Sequence, residues 1–124
     1  MGTVTIFFDT YAFFEILKKN PKYSNFLEKF SIITTRLNLM ELYYGMLKNY
    51  DSKIADYVYD YLLKSVVDID DEIIKEAMHF KLQNKGSRLS YIDCVGYITA
   101  IKNNVRFLTG DKEFKGLENV EFVQ

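Results

Sequence analysis

A mostly parallel α/β fold is predicted by two features of this sequence. Short runs rich in β-branched and aromatic residues, TVTIFF, SIITT and VRFLT among them, recur between stretches with helical spacing. That alternation is the pattern of βαβ units. The length of 124 residues is close to the commonest size of one domain. No internal repeat, linker or low-complexity segment divides the chain, so residues 1–124 read as a single domain. A chain this long buries roughly two-thirds of its unfolded surface and needs no disulfide or structural metal to fold.

The elements follow in order. TVTIFF at 3–8 is a short buried strand. TYAFFEILKK has helical spacing and stops before Asn20-Pro21, because proline disfavours the helical conformation in the residue before it. A second helix covers 22–29, and SIITT at 31–35 is a strand whose last threonines cap a helix over 36–48. DSKIADYVYDYLLK is amphipathic and helical; SVVDI at 65–69 is strand-like. Asp70 or Asp71 caps a helix over about 71–84, NKGSR is a loop, and Ser90 opens a helix to about residue 103. VRFLT at 105–109 is another buried strand, and VEFV at 120–123 a short last one.

Composition narrows the function classes. Charged residues make up 27% and apolar ones 48%, as in an ordinary globular protein. The net charge of −1 lacks the basic excess of a general phosphate binder. A basic surface, if there is one, is therefore local, drawn from Lys18, Lys19, Lys22, Lys85, Arg88 and Lys112; scattered solvated lysines are the bland alternative. Ten Tyr and ten Phe exceed what a small core hides, so some rings lie on the surface and cover a partner. Cys94 sits alone in an apolar run and reads as a small buried hydrophobe in a reducing compartment. No secretory leader and no apolar run of about 18 residues is present, which predicts a cytoplasmic protein.

Four acids stand inside, or at the edge of, apolar runs: Asp9 in VTIFFDTY, Glu41 in LNLMELYYG, Asp93 in LSYIDCVGYI and Asp111 in FLTGDKEF. An isolated carboxylate on a buried face costs free energy unless a cation or hydrogen-bond donors compensate it. Each has a structural explanation as well. Asp9 caps the helix that starts at Thr10 or Tyr11, Asp93 completes a capping box with Ser90, and Asp111 starts a helical turn. Glu41 fits that view least, since Leu37, Tyr44 and Gly45 surround it one turn away. Asp9 and Asp111 follow buried strands, and carboxyl ends of parallel strands border the ligand crevice. All-oxygen sites of this type suit a hard divalent ion, Mg²⁺ or Mn²⁺.

With these motifs in order, the chain resembles the PIN-domain ribonucleases, and within them the VapC-type toxins of toxin–antitoxin pairs. The resemblance spans essentially the whole length. It is carried by Asp9-Thr10, by Glu41 in LMELYYG, by Asp93 in LSYID and by Asp111 in LTGDKEF. Two positions depart from the pattern: Cys94 stands where Ala is usual, and Gly110 where Arg or Asn is commoner. The resemblance implies an α/β/α sandwich with the acids at the carboxyl edge of the sheet. It implies Mg²⁺- or Mn²⁺-dependent cleavage of single-stranded RNA, a homodimer, and inhibition by an antitoxin. Asp9 and Asp93 are then the principal metal ligands, Glu41 and Asp111 complete the catalytic cluster, and Thr10 and Thr109 orient carboxylates.

Other chemistries fit less well. Cleavage through the RNA 2′-hydroxyl needs a general base, and the one histidine, His79, has no second histidine and reads as a packed or surface residue. A haloacid-dehalogenase phosphatase wants a second Asp where Tyr11 stands. A response-regulator receiver lacks its acidic pair, with Asp68 a weak phosphoacceptor, and no glycine-rich phosphate loop is present. A non-catalytic binding module, or a PIN nuclease of RNA processing without an antitoxin, are the alternatives.

Overall fold

Residues 3–124 are described by a computed structural model; Met1 and Gly2, which the single-domain expectation includes, lie outside the described residues. The described residues form four strands, β1 (Val4–Phe8), β2 (Phe30–Ile33), β3 (Arg106–Thr109) and β4 (Val120–Phe122). Six helices join them: α1 (Thr10–Leu17), α2 (Pro21–Lys29), α3 (Arg36–Asn49), α4 (Ser52–Leu62), α5 (Asp71–Gln83) and α6 (Tyr91–Lys102). All strand pairs are parallel, in the order β2-β1-β3-β4.

Alternation along the strands builds a core on each face of the sheet. Phe7 and Phe107 point to one face and pack with Ile73 and Ala77 of α5 and with Cys94, Val95, Tyr97 and Ile98 of α6. Ile6, Phe8 and Leu108 point to the other, against Phe13 of α1, Tyr23 of α2, Leu39 and Leu42 of α3 and Ala55 of α4. The result is a three-layer α/β/α sandwich. Cys94 is buried and free, in the apolar setting expected of it.

Helix starts follow the caps in the sequence. Thr35 accepts from Asn38 N–H, Asp51 from Ile54 N–H, Asp70 from Ile73 N–H and Ser90 from Asp93 N–H. Pro21 occupies the first turn of α2, where its missing N–H has no intrahelical partner to lose. One predicted strand does not form. SVVDI makes a single parallel bridge, Thr34 to Val66, held by Thr34 N–H to Ser65 C=O and Val67 N–H to Thr34 C=O. Val66 packs into the α1–α4 core and Ile69 into the α5–α6 core, so the chain crosses the sheet edge here instead of running along β2.

From β1 the chain moves outward to β2 on one side, and β3 later pairs with β1 on the other. Strand order therefore switches between β1 and β3, where a parallel sheet opens a crevice at its carboxyl end. Gly110 lies just past β3. A Cβ there would fall 2.4 Å from the Val123 carbonyl oxygen and 2.5 Å from the Tyr11 ring. That close approach accounts for glycine where the resemblance expects a larger residue. Gly110→Ala is expected to lower the free energy of unfolding by about 1–3 kcal/mol in urea denaturation, because backbone must move to admit the methyl group.

Candidate active site

A cleft of about 630 Å³ opens at this switch point, and Asp9, Glu41, Asp93 and Asp111 all line it. Asp9 follows β1, Glu41 lies in the middle of α3, Asp93 sits in the first turn of α6, and Asp111 follows β3. Four stretches far apart in sequence thus contribute one carboxylate each.

Asp9 is the most constrained. It is 3% exposed, and its own N–H donates to Leu108 C=O at 3.1 Å, which continues the β1–β3 pairing. Its Oδ1 accepts from Thr10 N–H at 2.9 Å, and its Oδ2 from the Thr109 hydroxyl at 2.7 Å. Burial pushes the Asp9 carboxyl up to about 7; hydrogen bonds from Thr109 and Thr10 oppose this, and repulsion from Asp93 and Glu41 adds to it. Asp93 is raised in the same direction by burial, with Asp111 and Glu41 contributing repulsion against the Ser90 hydrogen bonds. The carboxylates therefore interact through the cleft as well as lining it.

Three of the acids also cap. Asp9 caps α1; Asp93 Oδ2 accepts from Ser90 N–H at 2.8 Å in a capping box; Asp111 Oδ1 accepts from Glu113 N–H at 3.0 Å. Capping uses one oxygen of each, and among the described residues Asp93 Oδ1, Asp111 Oδ2 and the Glu41 carboxylate accept no side-chain or capping hydrogen bond. Among the described residues no three His, Cys, Asp or Glu side chains are already gathered closely enough to hold an ion. Asp93 is folded back onto Ser90, and both Asp9 oxygens are engaged. In chemistry the donor set fits a hard divalent cation: every donor is oxygen, and repulsion from neighbouring acids adds to burial in raising Asp9 and Asp93.

The supporting residues are only partly those singled out in the sequence. Thr109 bridges two acids, donating to Asp9 and accepting from Asp111 N–H at 3.1 Å. Thr10 contacts Asp9 through its amide, while its hydroxyl accepts from Asn38 Nδ2 at 3.0 Å. Asn38 was not anticipated. It is fully buried, and its Oδ1 accepts from the Thr35 hydroxyl at 2.6 Å, so it ties the start of α1 to the start of α3. Its signal is a lone amide in LNLMEL, one turn before Glu41. Glu15 is a fifth acid on the cleft wall, but Asn20 Nδ2 donates to it at 2.7 Å and Lys18 pairs with it at 3.4 Å.

Cations flank the acids. Lys18 and Lys48 line the same cleft, and Arg88 and Lys112 line an adjoining pocket that shares Tyr11 and Asp111 with it. Lys22 instead donates to Gln124 C=O at 2.8 Å, and neither Lys19 nor Lys85 lines either space. His79 is exposed on α5, beside Lys75, Met78 and Leu82 and away from the acids.

The sequence matches the profile of the PIN domain over residues 6–120. Among curated proteins no sequence match is found. Several solved structures share the fold. VapC20 of Mycobacterium tuberculosis, a toxin that cleaves the sarcin–ricin loop, aligns with TM-score 0.81 at 14% identity, over 96% of this chain and 99% of that one. A toxin–antitoxin complex from Klebsiella pneumoniae gives 0.74 at 18% identity, over 93% and 94%. VapBC2 of Rickettsia felis, bound to a DNA fragment of its promoter, gives 0.72 at 23% identity, over 97% and 98%. At these identities the likeness is one of fold.

Proposed function

This chain belongs to the PIN domain family, and from that premise we propose that it is a metal-dependent endoribonuclease acting on single-stranded RNA, the toxin of a toxin–antitoxin pair. One observation carries the nuclease reading: four carboxylates from separate elements line a single cleft at the switch between β1 and β3. Solved toxin–antitoxin proteins with this fold support the toxin role and an antitoxin partner. Among the described residues no helix is long and apolar enough to cross a membrane. The working form is a homodimer.

Asp9 and Asp93 would be the principal residues to hold Mg²⁺ or Mn²⁺, and Glu41 and Asp111 would complete the set. Bound there, such a cation would supply charge neutralisation for the phosphate and activation of a water nucleophile. Thr109 fixes the Asp9 carboxylate, and Asn38 holds Thr10, so the deepest acid keeps one orientation. The capping box fixes the backbone of the Asp93 turn while leaving Oδ1 free to face the cleft.

Incubation with mixed RNA tests this. With Mn²⁺, cleavage is expected to leave a 5′-phosphate and a 3′-hydroxyl, and to stop when EDTA is added. Products ending in a 2′,3′-cyclic phosphate that persist in EDTA would contradict a metal-assisted hydrolysis. Co-expression with a short adjacent reading frame is expected to silence the activity.

A further inference from the structure

Glu41, Tyr44 and Lys48 stand three and four residues apart on α3 and line the same cleft, forming one stripe along the helix. Only Glu41 has a part in the chemistry so far. Tyr44 is 63% exposed and, among the described residues, its hydroxyl makes no hydrogen bond. Lys48 Nζ lies 5.1 Å from the centroid of the Tyr44 ring and, among the described residues, makes no ion pair. Gly45 completes the stripe. A Cβ there would fall 2.2 Å from Phe14 Cζ, so glycine is what lets the Phe14 ring lie against α3 beside Tyr44.

The cleft therefore combines a carboxylate floor with rings at its rim and an ammonium that lies over the Tyr44 ring without an ion-pair partner among the described residues. Acids alone repel an RNA backbone, and the net charge of −1 supplies no general attraction. A ligand that prefers this surface needs a flat π-face for the rings and a negative charge one residue away for the ammonium. An unpaired nucleotide has both, since every base can stack on an aromatic ring and carries its phosphate nearby. A duplex hides its base faces, and so matches this surface poorly.

Resting on the nuclease reading, we infer that Tyr44 and Lys48 form a nucleotide-seating shelf that stacks one unpaired base and grips its phosphate next to the cleavage point. The shelf is a positioning device: it places the strand across the acids and takes no part in bond breaking. Because stacking needs the ring and not the hydroxyl, Tyr44→Phe keeps it, and because the phosphate contact needs charge, Lys48→Arg keeps that.

Binding of a short fluorescein-labelled single-stranded RNA, followed by anisotropy in an Asp9→Asn background, tests the shelf apart from catalysis. Tyr44→Ala is expected to weaken binding about tenfold, within the range for loss of one base–aromatic stack, with Tyr44→Phe close to the parent. Lys48→Gln is expected to reduce the slope of log affinity against log salt by about 0.7, the value for one phosphate contact on a single strand. Lys75→Gln on α5 serves as the control and should leave both unchanged. Equal affinity of Tyr44→Ala and Tyr44→Phe, or an unaltered salt slope in Lys48→Gln, would overturn the shelf even if the native protein cleaves RNA. Loss of a dimer in Tyr44→Ala with unchanged RNA affinity would overturn it too. If the native protein neither binds nor cleaves single-stranded RNA, the nuclease reading itself falls.

Discussion

Asp9→Asn is expected to abolish RNA cleavage while making the cation-free protein more stable at pH 8. The two effects have one cause. Asp9 is buried at the carboxyl end of β1 and faces Asp93 and Glu41, so its negative charge is costly in the absence of a cation. Asparagine keeps the shape and the acceptor for Thr10 N–H, and its amide donates to the Thr109 hydroxyl in place of the present bond. It removes the charge on which cation binding depends. Cleavage should fall by at least about 100-fold, the loss that follows removal of one strong electrostatic group from an active site. The gain in stability follows from the carboxyl that burial raises: at pH 8 the folded protein carries a buried charge that asparagine removes, so the melting temperature rises. Differential scanning calorimetry and a cleavage assay on the same preparation check both. A variant that is inactive and less stable would point to a collapsed site and not to a relieved charge.

Stability of the cation-free protein is expected to fall as pH rises from about 4 to about 7. Folding raises the Asp9 carboxyl from 3.8 to about 7, so between those values the folded state holds a proton that the unfolded chain has released. Unfolding then releases a proton, and stability declines with pH until the folded carboxyl has ionised too. Asp93 is raised as well and contributes with the same sign. The difference between Asp9→Asn and the native protein isolates the Asp9 part. It should be close to zero near pH 4, grow through the window and level off above pH 7. A divalent cation reverses the trend. Proton and cation compete for the same carboxylate, so the rise in melting temperature caused by Mn²⁺ should be larger at pH 8 than at pH 5. Saturating ligand at 100 times its dissociation constant stabilises by about 2.7 kcal/mol, enough to read in a thermal melt. A melting temperature that climbs steadily from pH 4 to 7 without cation would be inconsistent with a buried, repelled Asp9.

Much of this arrangement is legible in the residues. Asp70 and Ser90 mark helix starts, because capping chemistry is local, whereas the reading of Pro21 as a stop for α1 leaves out its place in the first turn of α2. The strand pattern of SVVDI misleads for a non-local reason: Val66 and Ile69 serve opposite cores, which only the path around the sheet edge reveals. The same holds at the site. Isolation in apolar runs singles out the four acids, but their meeting depends on the strand order β2-β1-β3-β4, which spacing does not fix. Asn38 escaped notice because a single amide in an apolar helix resembles a tolerated surface residue, and its bonds to Thr10 and Thr35 come from packing α3 against α1. Glu15, next to Lys18, resembles an ordinary solvated pair in sequence and reaches the cleft only through the placement of α1.

Calorimetric titration with Mn²⁺ at pH 8, comparing the native protein with the Asp9→Asn, Asp93→Asn double variant, bears most directly on the convergence of these carboxylates on a cation. Saturable binding by the native protein, lost in a double variant that still melts cooperatively, is the expected result. Equal binding by both proteins, or none by either, would contradict it.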